Sequence, residues 1–461
     1  MTYRQLLAGN ADFRRLWLGQ VVSEIGDWLN NIAVLALALE LAGRGHEGRA
    51  IAFYAIARHL PLFIFGPIAG VVVDRSDRRR VMMAADIARA ILALGFLLAE
   101  RRAALPLIYT VGASLFAVSA FFNAAKRATI PNLTRNTDEL LSANSLSAST
   151  TATTIAVGSA LGGIVATFVG RNLVFIINAL TFLASAELIR RIRTATQQRH
   201  SDAATLRHSD EVKRGNGERA KGNGKTRSAS AFNRFNLSPF PQFGFILRRA
   251  AIDFREGLRY VRSDAALSAI FVVAAGWGLG NGAARAVYSI FGAHLGEQTA
   301  TAWVERPTDF GISVLFVAMG VGGALGAPLA RRFNQAAGER LGARMGRSIV
   351  LDGIGLTIFS LMPNLWGAAA VLIAREMNFA IWWTAQQTIM MKRTDDRFGG
   401  RVFASYETLT TLMMVGAMFA SGAAADTYGI RVVAATGGVI ITLAGLLWFV
   451  FRFKRHKEID G

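Results

Sequence analysis

Apolar residues fall into twelve blocks of roughly twenty or more, the length an α-helix needs to cross a hydrocarbon core of about 30 Å. The blocks are 16–42, 51–73, 79–99, 104–125, 146–168 and 172–189, then 265–294, 311–330, 347–365, 367–391, 402–424 and 430–451. The longer ones fit by tilting or by carrying interfacial ends. Charged residues gather mostly between the blocks. This segregation predicts an all-α membrane protein with twelve transmembrane helices.

A long polar interval, 190–262, divides the chain into two six-helix halves, 1–189 and 263–461. Its middle, from Gln197 to Arg234, is rich in Lys, Arg, Ser, Asn and Gly and too poor in large apolar residues to form a core. Further on, Phe245, Ile246, Ala250, Phe254, Leu258 and Val261 recur at helical spacing among charges. They predict an amphipathic helix near 245–261, lying along the inner membrane face. Two pseudo-symmetric halves with substrate between them is an established transporter plan.

Composition sharpens this. The chain of 461 residues is 52% hydrophobic with a mean hydropathy of +0.34, and its net charge is +20. In a soluble protein that charge would suggest nucleic acid. Here Lys and Arg recur in alternate loops: Arg75, Arg78, Arg79 and Arg80; Lys126, Arg127 and Arg135; Arg331 to Arg347; Lys392 to Arg401. That alternation sets orientation, with both termini cytoplasmic in a bacterial inner membrane and no nucleic-acid partner. The absence of cysteine excludes disulfides, thiolate metal sites and Cys nucleophiles. The six histidines are dispersed, so no metal and no cofactor is expected. Gly278-Leu-Gly280-Asn-Gly-Ala283 matches a dinucleotide fingerprint only as text, because no strand precedes it. Gly222-Asn-Gly-Lys225-Thr226 lacks the first glycine of a phosphate loop.

The loop Gly70-Val-Val-Val-Asp74-Arg75-Ser-Asp77-Arg78-Arg79 resembles the signature between helices 2 and 3 of the major facilitator superfamily, with Asp77 in place of the usual second glycine. Phe13-Arg14-Arg15-Leu16-Trp17 with Gly26-Asp27, Ala57-Arg58-His59-Leu60-Pro61, Asp86-Ile87-Ala88-Arg89-Ala90, Asn144-Ser145-Leu146 and Gly400-Arg401-Val402-Phe403 are similar to the branch that contains enterobactin exporters and macrolide efflux pumps. The resemblance spans nearly the whole chain outside the central interval. It implies a secondary active transporter, working by alternating access and driven by protons, and not an enzyme. The family's antiporters carry a glycine-rich motif with a Gly-Pro pair in helix 5. Gly158-Ser159-Ala-Leu-Gly162-Gly163 keeps the glycines but has Ser for Pro.

Charge inside a span is costly and faces a cavity or a partner. Gln20, Glu24, Asp27 and Asn31 share one face of the first span. Asp27 lies eleven residues past Leu16, about 16 Å deep. Burial disfavours an ionised carboxylate and a nearby cation favours it, so a balanced acid can exchange a proton. Asp27 is the first candidate for proton coupling, Glu24 the second, and Arg58 the counter-charge; a fixed salt bridge between helices is the alternative. Trp277, Asn281, Arg285 and Tyr288 share a face of the seventh span, as do Arg375, Asn378, Trp382 and Gln386 in the tenth, adjoined by Glu376 and Trp383. With Gln20 and Asn31 they are the candidate substrate cavity, suited to an amphipathic compound; helix packing is the alternative for the tryptophans. Gly70, Asp74, Arg75, Arg78, Arg79, Asp86 and Arg89 are the candidate cytoplasmic gate, Gly70 for close helix approach and Asp74 as a cap on a neighbouring helix.

The sequence thus predicts a monomeric, proton-coupled exporter of small amphipathic compounds, such as drugs or siderophores, with protons and membrane lipids as its other partners. The alternative is a lysophospholipid or lipid flippase of the same superfamily.

Overall fold

The computed structural model describes residues 2–192, 254–299, 304–335, 340–395 and 398–459. The stretch 197–234 and the first part of the expected amphipathic helix, 245–253, lie outside them. Seven helices precede the central interval: α1 (Tyr3–Gly9), α2 (Ala11–Ala42), α3 (Glu47–Arg75), α4 (Arg78–Arg101), α5 (Leu105–Leu133), α6 (Thr137–Phe168) and α7 (Arg171–Arg190). Six follow it: α8 (Ala265–Thr299), α9 (Pro307–Gln335), α10 (Leu341–Leu361), α11 (Leu365–Arg393), α12 (Gly399–Tyr428) and α13 (Ile430–Ile459). Among the described residues, ten of these are long and apolar enough to cross a membrane. The two others of comparable length, α10 and α11, pack against them.

Each long helix overlaps one predicted block. The extra element is α1, whose Thr2 closes a capping box with Gln5. Asn10 then caps α2 by accepting from the Phe13 amide at 2.9 Å, so this helix begins five residues before the predicted block. Asp77, not Asp74, caps α4, accepting from the amides of Arg79 and Arg80 at 2.9 and 3.3 Å. The acceptor must lie directly at the helix start, and Asp74 is still inside α3.

One core cluster lies wholly between Val261 and Trp448. A second joins α2 to α7, and into it reach Ile290, Ala293 and Ile312 of α8 and α9. A third joins Leu6, Phe13 and Val73 to Ile192. The described part of the amphipathic helix, 254–263, is docked on the second set of helices. Val261 enters the core, Tyr260 stacks on Phe398 at 4.7 Å, and Glu256 pairs with Arg401 at 3.1 Å.

The two sets of helices meet at the end that carries the turns 43–46, 169–170 and 429. Gly48 packs directly on Gly422, and a Cβ on either would overlap the other's backbone. The Gly48 amide donates to Asp426 at 2.7 Å, and Arg49 pairs with Asp426 at 2.9 Å. Gly163 and Gly320 leave room for Ser313 and Ala156. Gly70, by contrast, faces open space, so it brings no two helices together.

Candidate functional site

The site is built from the faces that α2, α3, α4 and α5 turn toward α8 and α11. Asp27 is fifteen residues from the closed end of α2, about 22 Å down the helix, yet its side chain is 34% exposed. Its Oδ2 lies 4.0 Å from Arg89 of α4, which is only 3% exposed. Arg89 is immobilised by Asp86, one turn earlier, and by the rings of Phe122 and Phe182 at 4.1 and 4.4 Å. The acid therefore faces an opening while its cation is fixed in the wall.

This corrects two expectations. The ion-pair partner of Asp27 is Arg89; Arg58 instead donates to Asn31 and lies over Trp28 and Phe116 at 5.3 and 4.9 Å, although its charge still acts on Asp27. Asp86 and Arg89 do not belong with the candidate gate. Asp86 is eight residues into α4 from Arg78, about 12 Å along the helix, and is fully buried. Of the gate residues, Asp74 and Arg75 are exposed at the helix end, Arg78 donates to the Ala128 carbonyl at 2.6 Å, and Arg79 to that of Arg190.

Glu24 lies one turn nearer the open end and is held from all sides. It accepts from Gln20 at 2.8 Å, Thr154 at 3.1 Å and Thr151 at 3.3 Å, and faces Lys126 at 3.6 Å. Gln20 is spent on this network. Lys126 reads as a loop residue in the sequence, but α5 runs on past it to Leu133.

Arg375 anchors the opposite wall. It pairs with Asp352 of α10 at 3.1 Å, contacts Glu376 at 3.5 Å, and donates to Tyr288 and to Asn281. Trp277 donates to the same Asp352 at 3.2 Å. Asp352 is a site residue that sequence reasoning passed over, although a lone acid inside an apolar block was signal enough. Trp277, Phe379 and Trp383 stack beside this network, with centroids at 5.7 Å for each Phe379 pair. Three expected cavity residues turn away from the opening. Trp382 and Gln386 are fully buried, Gln386 donating to Tyr406, while Asn378 donates to the Ser348 carbonyl at 2.7 Å. The sequence placed them on the same face as Arg375, but a face some 100° wide includes flanks that pack on neighbours. Arg285 remains exposed deep within the molecule, with the charges of Glu376, Arg58 and Arg375 acting on it.

The closed end carries the other ionic site. Arg171 of α7 donates to both oxygens of Asp309 of α9, at 3.0 and 2.7 Å, and to Glu40 of α2 at 2.5 Å. Arg171 and Asp309 are 4% and 0% exposed. Around them lie Arg44–Glu297 at 3.6 Å and His294–Glu47 at 3.0 Å. A cavity of about 500 Å³ sits there, lined by Glu40, Arg44, Glu100, Arg171, Arg306 and Asp309 among others. Among the described residues, every ion pair between the two sets of helices lies at this end. The opposite end is therefore the open one.

Residues 16–418 match the family described as Major Facilitator Superfamily. A stretch of 181 residues is 34% identical to the candidate bacilysin exporter BacE of Bacillus subtilis (strain 168), covering 39% of this chain and 43% of that one. A stretch of 75 residues is 33% identical to Macrolide efflux protein A of Streptococcus pyogenes, covering 16% and 18%. The chain thus spans less than half the length of these relatives. In fold it is similar to a bacterial homologue of the iron transporter ferroportin in its inward-facing state, with a TM-score of 0.68 and 12% identity over 96% of this chain and 98% of that one. It is likewise similar to the peptide transporter POT in complex with sulfate, with a TM-score of 0.63 and 12% identity over 98% of each. With a family match across most of its length and long apolar helices throughout, the chain is a multi-pass membrane transporter of the major facilitator superfamily, not an enzyme.

Proposed function

We propose that this transporter is a proton-coupled exporter of small amphipathic compounds, monomeric, with both termini on the cytoplasmic side of a bacterial inner membrane. The observation that carries the reading is the pair Asp27 and Arg89: a half-buried acid against a fixed, fully buried cation, at mid-depth between the two sets of helices. A proton arriving on Asp27 releases it from Arg89 without moving Arg89. A substrate entering the same opening meets Trp383, Phe379 and Arg285 on the facing wall. In this orientation the open end faces the cytoplasm and the resting state loads from inside. Exporters among the matched relatives favour the outward direction. At about 180 mV one inward proton supplies about 4 kcal/mol. That sustains a substrate gradient of about a thousandfold.

The test is proteoliposomes holding a pH dye, challenged with macrolides, siderophores and labelled lysophospholipids. Substrate-triggered proton flux that Asp27→Asn abolishes supports the reading. Movement of the lysophospholipid alone, without proton flux, replaces it with a lipid transporter.

A further inference from the structure

Two arginines at the head of the opening have no carboxylate partner among the described residues. Arg58 lies eleven residues from the closed end of α3, about 16 Å down, and Arg285 fourteen from the closed end of α8, about 21 Å down. They come from opposite sets of helices, on α3 and α8, which touch each other, and the charge of each acts on the other. Every other deep cation nearby is spent: Arg89 on Asp86 and Asp27, Lys126 on Glu24, Arg375 on Asp352 and Glu376. Among the described residues Arg58 has an amide oxygen, the Tyr54 hydroxyl and two aromatic faces, but no anion within ion-pair distance, and Arg285 is exposed with no hydrogen bond.

Holding two like charges close together inside an opening is unfavourable unless an anion joins them. Guanidinium groups match the fork of an oxyanion. The acids whose charges also act on the two arginines, Asp27 and Glu376, already offset them, which leaves no excess for a dianionic phosphate and suits a monoanion. The Trp277, Phe379 and Trp383 stack on the facing wall supplies the apolar contact.

We infer that Arg58 and Arg285 together bind the carboxylate of an amphipathic substrate, so that the transported compound is an anion or a zwitterion rather than a purely cationic drug. The inference rests on the exporter reading and names its substrate class. The carboxylate bridges the two sets of helices, with Glu376 placed to take an ammonium group where the substrate has one.

Four dansyl probes separate the charge types at nearly constant apolar bulk. Dansylglycine is an anion, Nε-dansyl-lysine a zwitterion, and dansylcadaverine and the methyl ester of Nε-dansyl-lysine are cations. Transport would be followed in proteoliposomes under an imposed proton gradient, in both directions. The expected result is that both carboxylates are moved at least tenfold faster than the two cations. Arg285→Gln and Arg58→Gln should each erase that preference, and Arg285→Lys should restore part of it. Because Arg285 makes no hydrogen bond among the described residues, its removal should leave the fold intact, which a monodisperse elution profile checks. Cations moved as fast as carboxylates, or a preference unchanged in Arg285→Gln, overturns the carboxylate site and leaves the exporter standing. No movement of any of the four overturns both.

Discussion

Arg171 holds Asp309 with two parallel hydrogen bonds across the boundary between the two sets of helices, and neither side chain is more than 4% exposed. Removing one partner of such a pair leaves a buried charge unpaired, at a cost of about 3–5 kcal/mol. That cost falls on the closed end alone, because Arg171 and Asp309 both sit at helix starts there. Arg171→Leu should therefore open this end while the remaining helices stay folded. The chain has no cysteine, so Ala293→Cys, buried in the seam, reports directly. An impermeant maleimide added from the closed side should label it more than tenfold faster in the Arg171→Leu background.

Asp27 and Arg89 should behave differently although they touch. Asp27→Asn removes a half-buried charge and leaves Arg89 still paired with Asp86, so it should cost far less stability than stranding a fully buried partner. Proton-driven accumulation should be lost and downhill exchange kept. Arg89→Leu strands the fully buried Asp86 and should lower stability by about 3–5 kcal/mol. Thermal unfolding in detergent separates the two: a near-native midpoint for the first variant and a large drop for the second.

A similar contrast applies to Asp352 and Arg375. Asp352→Leu alone leaves Arg375 without its main counter-charge and should unfold the C-terminal helices readily. Asp352→Leu with Arg375→Met should recover most of the loss, since a buried ion pair is often no more stable than apolar residues of similar size. A double-mutant cycle on unfolding midpoints gives the coupling.

Two glycines test packing. Gly422→Val would drive a side chain into Ala52 and the Gly48 carbonyl, and should raise maleimide labelling at Ala293→Cys as Arg171→Leu does. Gly70→Ala meets open space inside α3 and should stabilise by about 0.5–1 kcal/mol, read as a higher unfolding midpoint.

The long helices were legible because a membrane imposes one length and one polarity on every span. The short α1 was not, since seven residues are too few to carry such an imprint. The Asp27 wall was half legible. Gln20, Glu24, Asp27 and Asn31 share a face by spacing alone, but the partner Arg89 comes from another helix, and its closeness in sequence to Arg78 suggested the wrong end. Lys126 was hidden for a related reason: basic residues near a loop read as topology signals, whether or not they reach inward. Arg171, Glu40 and Asp309 escaped because charge at the end of a span is ordinary, and only the packing of three helices shows that these three converge. Trp382 and Gln386 show the limit of face arguments, which place a residue on a helix surface without saying what covers it.

Collecting the ionic contacts between the halves at one end has a physiological reading. With the termini in the cytoplasm, as proposed, an idle copy would present the outside with a sealed wall and the inside with an open pocket. On that reading the seal would have to be broken before Asp27 met the external medium, so an unloaded protein would pass few protons. A cell could then keep many copies in its membrane and still hold its proton gradient.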